Sequence, residues 1–119
     1  MRDERLYLAD IVEATDAIGR FVAGMTEDDW IEDEVKQGAV MYQFVIIGEA
    51  AARLSKEFRE RHSEIEWVDI IGFRNFAVHA YFAVSWSVVW VTATKDVPAL
   101  AEQVAAILVE NAADGSGPL

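Results

Sequence analysis

The side chains best suited to chemistry lie in one short segment, 70–82, where polar residues interrupt an apolar helical pattern. They are Arg74, Asn75, His79 and Tyr81. Burying a guanidinium and an imidazole without partners costs free energy, so a segment that only fills a core would not carry both. At about 100° of helix rotation per residue, the four side chains share one arc of about 160°. We expect the function of the chain at this arc.

An arginine, a histidine and an amide on one helix face suit metal-independent cleavage of an RNA backbone. Histidine titrates near neutral pH, so His79 can carry a proton from or to the 2′-hydroxyl or the leaving oxygen. Arg74 can hold a phosphate bidentately and stabilise the charge that develops on it. Asn75 can orient the imidazole or donate to the phosphate. Because the motif supplies one histidine, a two-fold dimer that brings two arcs together would be the better catalyst.

A purely structural interpretation of the same residues stays open. Arg74 could pair with an acid such as Glu49, while His79 is a core histidine with satisfied hydrogen bonds. Glu49 lies among small and apolar residues in 48–52. It is either an exposed helix residue or a partner for Arg74 across a helix–helix contact.

The elements that must position this segment are all predicted to be helices. The first runs over about 3–23 and ends near Gly24, and Thr26 begins a short helix as its N-cap. A second long helix is predicted over 36–61, where small residues at 48–52 would let another helix approach closely. Apolar residues at helical spacing mark both stripes: Tyr7, Ile11, Ala14, Ile18 and Phe21, then Val40, Phe44, Ile47, Ala51, Leu54 and Phe58.

The second half of the chain continues in the same way. Trp67 opens the motif helix, which we expect to reach Phe82, and Ser85 can cap the next helix. The segment 96–98 indicates a restart, with Pro98 in a first helical turn, and Leu100 begins the last apolar stripe. The prediction is an all-α bundle of about four to five helices in a single domain, 1–110, with a flexible tail, 111–119.

Composition restricts the class of protein. The chain has no cysteine, which rules out disulfides, thiolate metal sites and a cysteine nucleophile. Its two histidines are distant and form no recognisable metal ligand set, so we expect no metal and no cofactor. No signal peptide or membrane span is visible, which predicts a cytoplasmic protein. The net charge of −11 opposes general nucleic-acid binding, so RNA would have to be met at a local arginine.

The motif resembles a known signature. The octapeptide 74–81 is similar to the Arg-x4-His-x-Tyr signature of HepT-like proteins in the HEPN superfamily. Further segments resemble that family in the same order, among them 46–51, 54–59, 67–72 and 95–98. The resemblance covers nearly the whole chain apart from the tail.

The resemblance implies a homodimeric HEPN-type helical bundle with the Arg-x4-His motifs at a cleft along the dimer interface. It implies a ribonuclease toxin of a toxin–antitoxin pair, whose partner is an MntA-like nucleotidyltransferase. By position, Arg74 and His79 would be the catalytic pair, with Asn75 as the polar residue after the arginine. The partner would silence the toxin by transferring AMP to Tyr81, placing a negative phosphodiester beside Arg74.

The chain also departs from the family pattern. Tyr42-Gln43 stands where the family usually has arginine and asparagine, and Ala80 stands where an acid often follows the histidine. A missing base at position 42 and an acidic surface favour an alternative from another class. In that alternative the chain is a non-catalytic helical module that docks a nucleotidyltransferase partner or a nucleotide.

Overall fold

The structure is a computed structural model that describes residues 3–75 and 85–113, without the side chains of 111–113. These two ranges contain helices and no strand, so the all-α prediction is confirmed. The helices are shorter and more numerous than the four to five expected. They are α1 (Glu4–Val22), α2 (Glu27–Ile31), α3 (Glu34–Arg53), α4 (Lys56–Arg61), α5 (Trp67–Ile71), α6 (Trp86–Val91) and α7 (Val97–Ala113).

Helix α1 packs chiefly against α3 and α7, and the predicted apolar stripes form this interface. Leu8, Ile11 and Ile18 of α1 are fully buried, as are Phe44 and Ile47 of α3. The amphipathic spacing of both helices is therefore satisfied by burial against each other. In the described residues, no helix is both long and apolar enough to cross a membrane.

The N-termini of the first helices are capped by side chains. Asp3 accepts from Arg5 N at 2.8 Å, and the hydrogen bond from the Arg5 guanidinium lowers the pKa of the Asp3 carboxyl. Thr26 and Asp29 form the reciprocal capping box of α2, as the sequence predicts for Thr26. These local bonds fix where α1 and α2 begin.

A tryptophan cluster joins α2 to α6. Trp30 is fully buried, and its ring centroid lies 6.0 Å from those of both Trp86 and Trp90. The Trp30 indole Nε1 also donates to the Trp86 carbonyl at 2.8 Å. The pair Trp86 and Trp90 thus packs within the bundle, as their spacing on one helix face suggests.

The long helix expected over 36–61 is wrong in one respect, because the chain turns a corner at 54–55. Leu54 and Ser55 have extended backbone conformations, and Ser55 caps α4 by accepting from Phe58 N at 3.0 Å. A second bond, this one between residues far apart in the chain, also fixes the corner: Ser55 N donates to Glu4 Oε1 at 2.6 Å. Leu54 and Phe58 are both buried, so the apolar spacing continues through the corner and conceals it.

The helix start expected at 96–98 is confirmed, since α7 begins at Val97 with Pro98 in its first turn, but no break in the chain precedes it. Residues Thr92–Asp96 form a π-helical turn that joins α6 to α7 without a break. Pro98 has no N–H and its ring would clash with the carbonyl four residues earlier in a regular α-helix. The wider π turn directly before it relieves that conflict while the helix continues. The last helix then reaches Ala113, three residues into the predicted tail, and 114–119 lie outside the described residues.

Candidate functional site

The start of the motif is anchored by aromatic packing. Helix α5 ends at Ile71 with Gly72 as its C-cap, and residues 73–75 are helical again. Phe73 is buried and packs edge-on against Phe44 of α3, with ring centroids 5.1 Å apart. Arg74 and Asn75 follow at the surface, where Asn75 is exposed and the Arg74 side chain is 39% exposed. The buried phenylalanine therefore sets the depth at which the two polar residues reach solvent.

The main chain of this segment touches the main chain of α3 at Gly48. A Cβ atom added to Gly48 would lie 2.6 Å from Arg74 N, 2.9 Å from Arg74 Cβ and 2.9 Å from Ile71 O. Only glycine allows two backbones to approach this closely. The expected close approach at 48–52 is confirmed, and it occurs at the arginine of the motif.

Glu49, the next residue of α3, contacts the arginine side chain. Arg74 Nη1 lies 3.3 Å from Glu49 Oε1, and the two side chains are 39% and 48% exposed. Of the two interpretations of Glu49, the structure has the contact across helices, made by a side chain that is also exposed on its helix. Exposed ion pairs contribute about 0–1 kcal/mol to stability, so the pair matters more for where the guanidinium lies than for the fold.

His79 and Tyr81 lie outside the described residues, within 76–84. Of the four polar side chains predicted to share one arc, only Arg74 and Asn75 can therefore be compared with the structure. The catalytic roles of Arg74, Asn75 and His79 and the role of Tyr81 as AMP acceptor stay predictions.

The guanidinium of Arg74 is itself a group suited to binding an anion at short range. A guanidinium has five N–H donors in a planar fork, which matches a phosphate. In the described part of the chain, one donor of Arg74 contacts Glu49. The side chain is half-exposed, so a ligand can approach it from solvent. Asn75, exposed beside it, adds an amide that can donate or accept.

The histidine outside the motif, His62, lies in a polar connection that predicts a surface side chain, but the structure has it largely buried. The His62 side chain is 16% exposed, its ring packs against Phe58 with centroids 4.6 Å apart and ring planes tilted by 42°, and Nδ1 lies 3.6 Å from Glu64 Oε1. Across 3–75 and 85–113 no group of three His, Asp or Glu side chains could hold a metal ion. His62 is thus part of the packing beneath α4.

The position where the family has a base lines a cavity between α1 and α3. Tyr42 is 65% exposed and borders, with Gln43, a cavity of about 510 Å³. Its charged lining is two carboxylates, Asp10 and Glu13, and one guanidinium, Arg20. This balance disfavours the phosphates of a nucleotide.

Sequence reasoning missed two residues that position Arg74. One is Phe73, whose apolar side chain gives no hint of its partner. The other is Gly48, because 48–52 contains several small residues, any of which could allow a close approach of another helix. A glycine in the middle of a long helix costs helix stability, and that cost was the available signal.

Comparison with known proteins supports the resemblance of this chain to HepT-like proteins. The family model described as Ribonuclease HepT-like matches residues 11–107. "Putative RNase TTE0752" of Caldanaerobacter subterraneus subsp. tengcongensis is 38% identical over 108 residues, which cover 91% of this chain and 96% of that protein. "Probable ribonuclease HepT" of Thermococcus cleftensis is 36% identical over 99 residues, covering 83% and 90%.

A third relative is longer than this chain. "Gamma-glutamylcyclotransferase and putative RNase MJ0434" of Methanocaldococcus jannaschii is 34% identical over 109 residues, which cover 92% of this chain and 49% of that protein. No solved structure is a significant match. The family model spans most of the chain, and the first two relatives align along nearly their whole length. The chain therefore belongs to the HepT-like ribonuclease family.

Proposed function

We propose that this chain is a ribonuclease that cleaves RNA without a metal ion, using Arg74, Asn75 and His79. The observation that carries the proposal is the half-exposed Arg74 guanidinium, held beside α3 in a chain of the HepT-like ribonuclease family. Arg74 binds the scissile phosphate and stabilises the charge that develops on its oxygens. His79 moves the proton.

The reaction needs both a base and an acid. The base removes the proton of the 2′-hydroxyl, whose oxygen attacks the phosphorus, and the bond to the 5′-oxygen breaks as that oxygen receives a proton. One His79 per chain supplies one of these groups at a time. A homodimer with two motifs at one cleft supplies both, so we propose the dimer as the active form.

Silencing of this ribonuclease is the second part of the proposal. The chain is the toxin of a toxin–antitoxin pair, and an MntA-like nucleotidyltransferase transfers AMP from ATP to the Tyr81 phenol. The phenol oxygen bonds to the α-phosphorus as pyrophosphate leaves, and the phenol proton is released. The modified side chain carries a negative phosphodiester, which competes with RNA for Arg74. Tyr81→Phe should cleave RNA like the unmodified protein and take up no labelled AMP from ATP and the partner.

The deciding experiment is RNA cleavage by the purified, unmodified protein in the presence of a chelator. His79→Ala and Arg74→Ala should each abolish cleavage while circular dichroism and sedimentation match the parent protein. His62→Gln, which alters the histidine packed on Phe58, is the matched control and should still cleave. Equal, negligible cleavage by the parent protein and His79→Ala would refute the proposal.

A second candidate function is a non-catalytic module that docks a nucleotidyltransferase. The net charge of −11 and the carboxylate already paired with Arg74 favour it, since both oppose RNA. In this case Arg74→Ala and His79→Ala leave RNA turnover unchanged and alter only the affinity for the partner. Titrating the partner into each variant separates the two functions.

A further inference from the structure

We propose that Glu49 is a positioning residue for Arg74, acting on RNA cleavage only through the guanidinium. The inference rests on the proposed ribonuclease function. It assigns to α3 a share in a site whose predicted catalytic residues all lie in the segment that begins at Arg74.

Two contacts with adjacent residues of α3 determine where Arg74 lies. The missing side chain of Gly48 lets the main chain of Arg74 rest against the helix backbone. Glu49 then takes the far end of the side chain, with 3.3 Å between Nη1 and Oε1. An arginine held only at its backbone would sample many rotamers, whereas one held at both ends presents its fork in one direction.

The platform for this contact is rigid. Ala50 and Ala51, the residues after Glu49, are buried, and α3 packs along its length against α1. The carboxylate is therefore carried by a helix that cannot rotate without disrupting the core. Such preorganisation matters for catalysis because a misplacement of about 1 Å can lower a rate about a hundredfold.

Charge makes the role of Glu49 separable from simple RNA binding. A carboxylate next to the phosphate site repels the substrate, so removing it does not weaken binding of RNA. A positioning role instead predicts a loss in kcat with no rise in KM. A residue that only stabilised the fold would change neither parameter in protein that remains folded.

The first test compares Glu49→Ala with Glu49→Gln and Glu60→Ala. Glu60 also pairs with a base, Lys56 at 3.9 Å, so its variant loses the same charge and an exposed ion pair elsewhere. We expect Glu49→Ala to lower kcat about twofold to fivefold without raising KM, which is the range that an exposed ion pair can supply. Glu49→Gln, which keeps an oxygen that can accept from Nη1, should recover most of the loss. Equal kcat in Glu49→Ala and Glu60→Ala would overturn the proposal.

A second test asks whether Glu49 acts through the guanidinium. In an Arg74→Lys background, which keeps a charge but not the planar fork, Glu49→Ala should have a much smaller effect on kcat than in the parent protein. Losses that simply multiply would mean that Glu49 acts independently of Arg74, which contradicts the proposal.

The third test does not depend on activity. Nitrogen NMR of the Arg74 guanidinium should show restricted rotation in the parent protein and in Glu60→Ala, and free rotation in Glu49→Ala. Unrestricted rotation in the parent protein overturns the positioning role even if RNA is cleaved. Restricted rotation without any His79-dependent cleavage means instead that the ribonuclease function fails, and the catalytic inference with it.

Discussion

Arg74 combines a fixed main chain with an accessible charge. Its backbone lies against Gly48, its neighbour Phe73 is buried on Phe44, and its guanidinium reaches solvent beside Glu49. A binding arginine needs this combination, because an ordered fork loses less entropy when it takes hold of a phosphate. Arg74 therefore has the geometry that the proposed phosphate contact requires, and its side chain contributes little to the core.

The close contact at Gly48 yields a prediction with an internal control. Gly48→Ala should destabilise the protein by about 1–3 kcal/mol, because the new methyl group meets backbone atoms that cannot move aside. Gly38→Ala in the same helix meets nothing within 4 Å and should leave stability unchanged or raise it by about 0.5–1 kcal/mol. Urea denaturation of both variants measures the difference. Similar urea midpoints for the two variants would show that residues 71–74 can move to make room for the new methyl group.

At the scale of the elements, the sequence predicted which faces of the helices are buried better than it predicted where the helices end. The stripes of α1 and α3 are buried as their spacing indicates, since periodicity depends only on side chains along one helix. The corner at Ser55 was missed because Leu54 and Phe58 continue the stripe on either side of it. The local signal for the corner was Ser55, a residue type that favours N-caps. The second bond that holds the corner, from Ser55 N to the carboxylate of Glu4, joins residues far apart in the chain and has no local signal.

A buried amide helps to hold the end of α2, where Trp30 O also accepts from Asp33 N at 3.2 Å. Gln37 is 6% exposed, and its Nε2 donates to the carbonyls of Trp30 at 3.0 Å and Ile31 at 2.9 Å. Gln37→Leu leaves both carbonyls without this donor and should cost about 1–3 kcal/mol.

Gln103→Leu provides the comparison, since that side chain is exposed and makes one weak contact, 3.5 Å from Glu64 O. Its effect should stay within about 0.5 kcal/mol. Thermal unfolding of both variants tests the pair, and an equally small effect for Gln37→Leu would mean that water replaces the amide at α2.

At the scale of the whole molecule, the net negative charge of the chain opposes the RNA binding that is proposed for its site. The chain carries −11 overall, yet the proposed substrate is a polyanion. The family and the intact motif could be recognised from the sequence, as could the contact between Glu49 and Arg74 as one of two options. The choice between the options required the packing of α3 on the motif segment, which no pattern along the chain encodes.

This opposition predicts an unusual salt dependence. If a dimer contacts RNA mainly through two Arg74 side chains, the logarithm of the binding constant should fall with the logarithm of salt with a slope of about −1.4 or shallower. Fluorescence anisotropy with a 2′-O-methyl RNA, which lacks the attacking hydroxyl, measures the slope without cleavage. A slope several times steeper would reveal a larger basic surface than the motif provides.

The bond between Ser55 N and Glu4 Oε1 joins residues 51 positions apart, and this has a consequence for the order of folding. Helix α4 has six residues, too few to be stable alone, and it begins at that bond. It should therefore form only after α1 has docked on α3. Glu4→Ala should then speed unfolding while leaving the folding rate almost unchanged, as expected for a contact made after the transition state. Hydrogen exchange of the Ser55 amide should then report whether the first turn of α1, which carries Glu4, has docked.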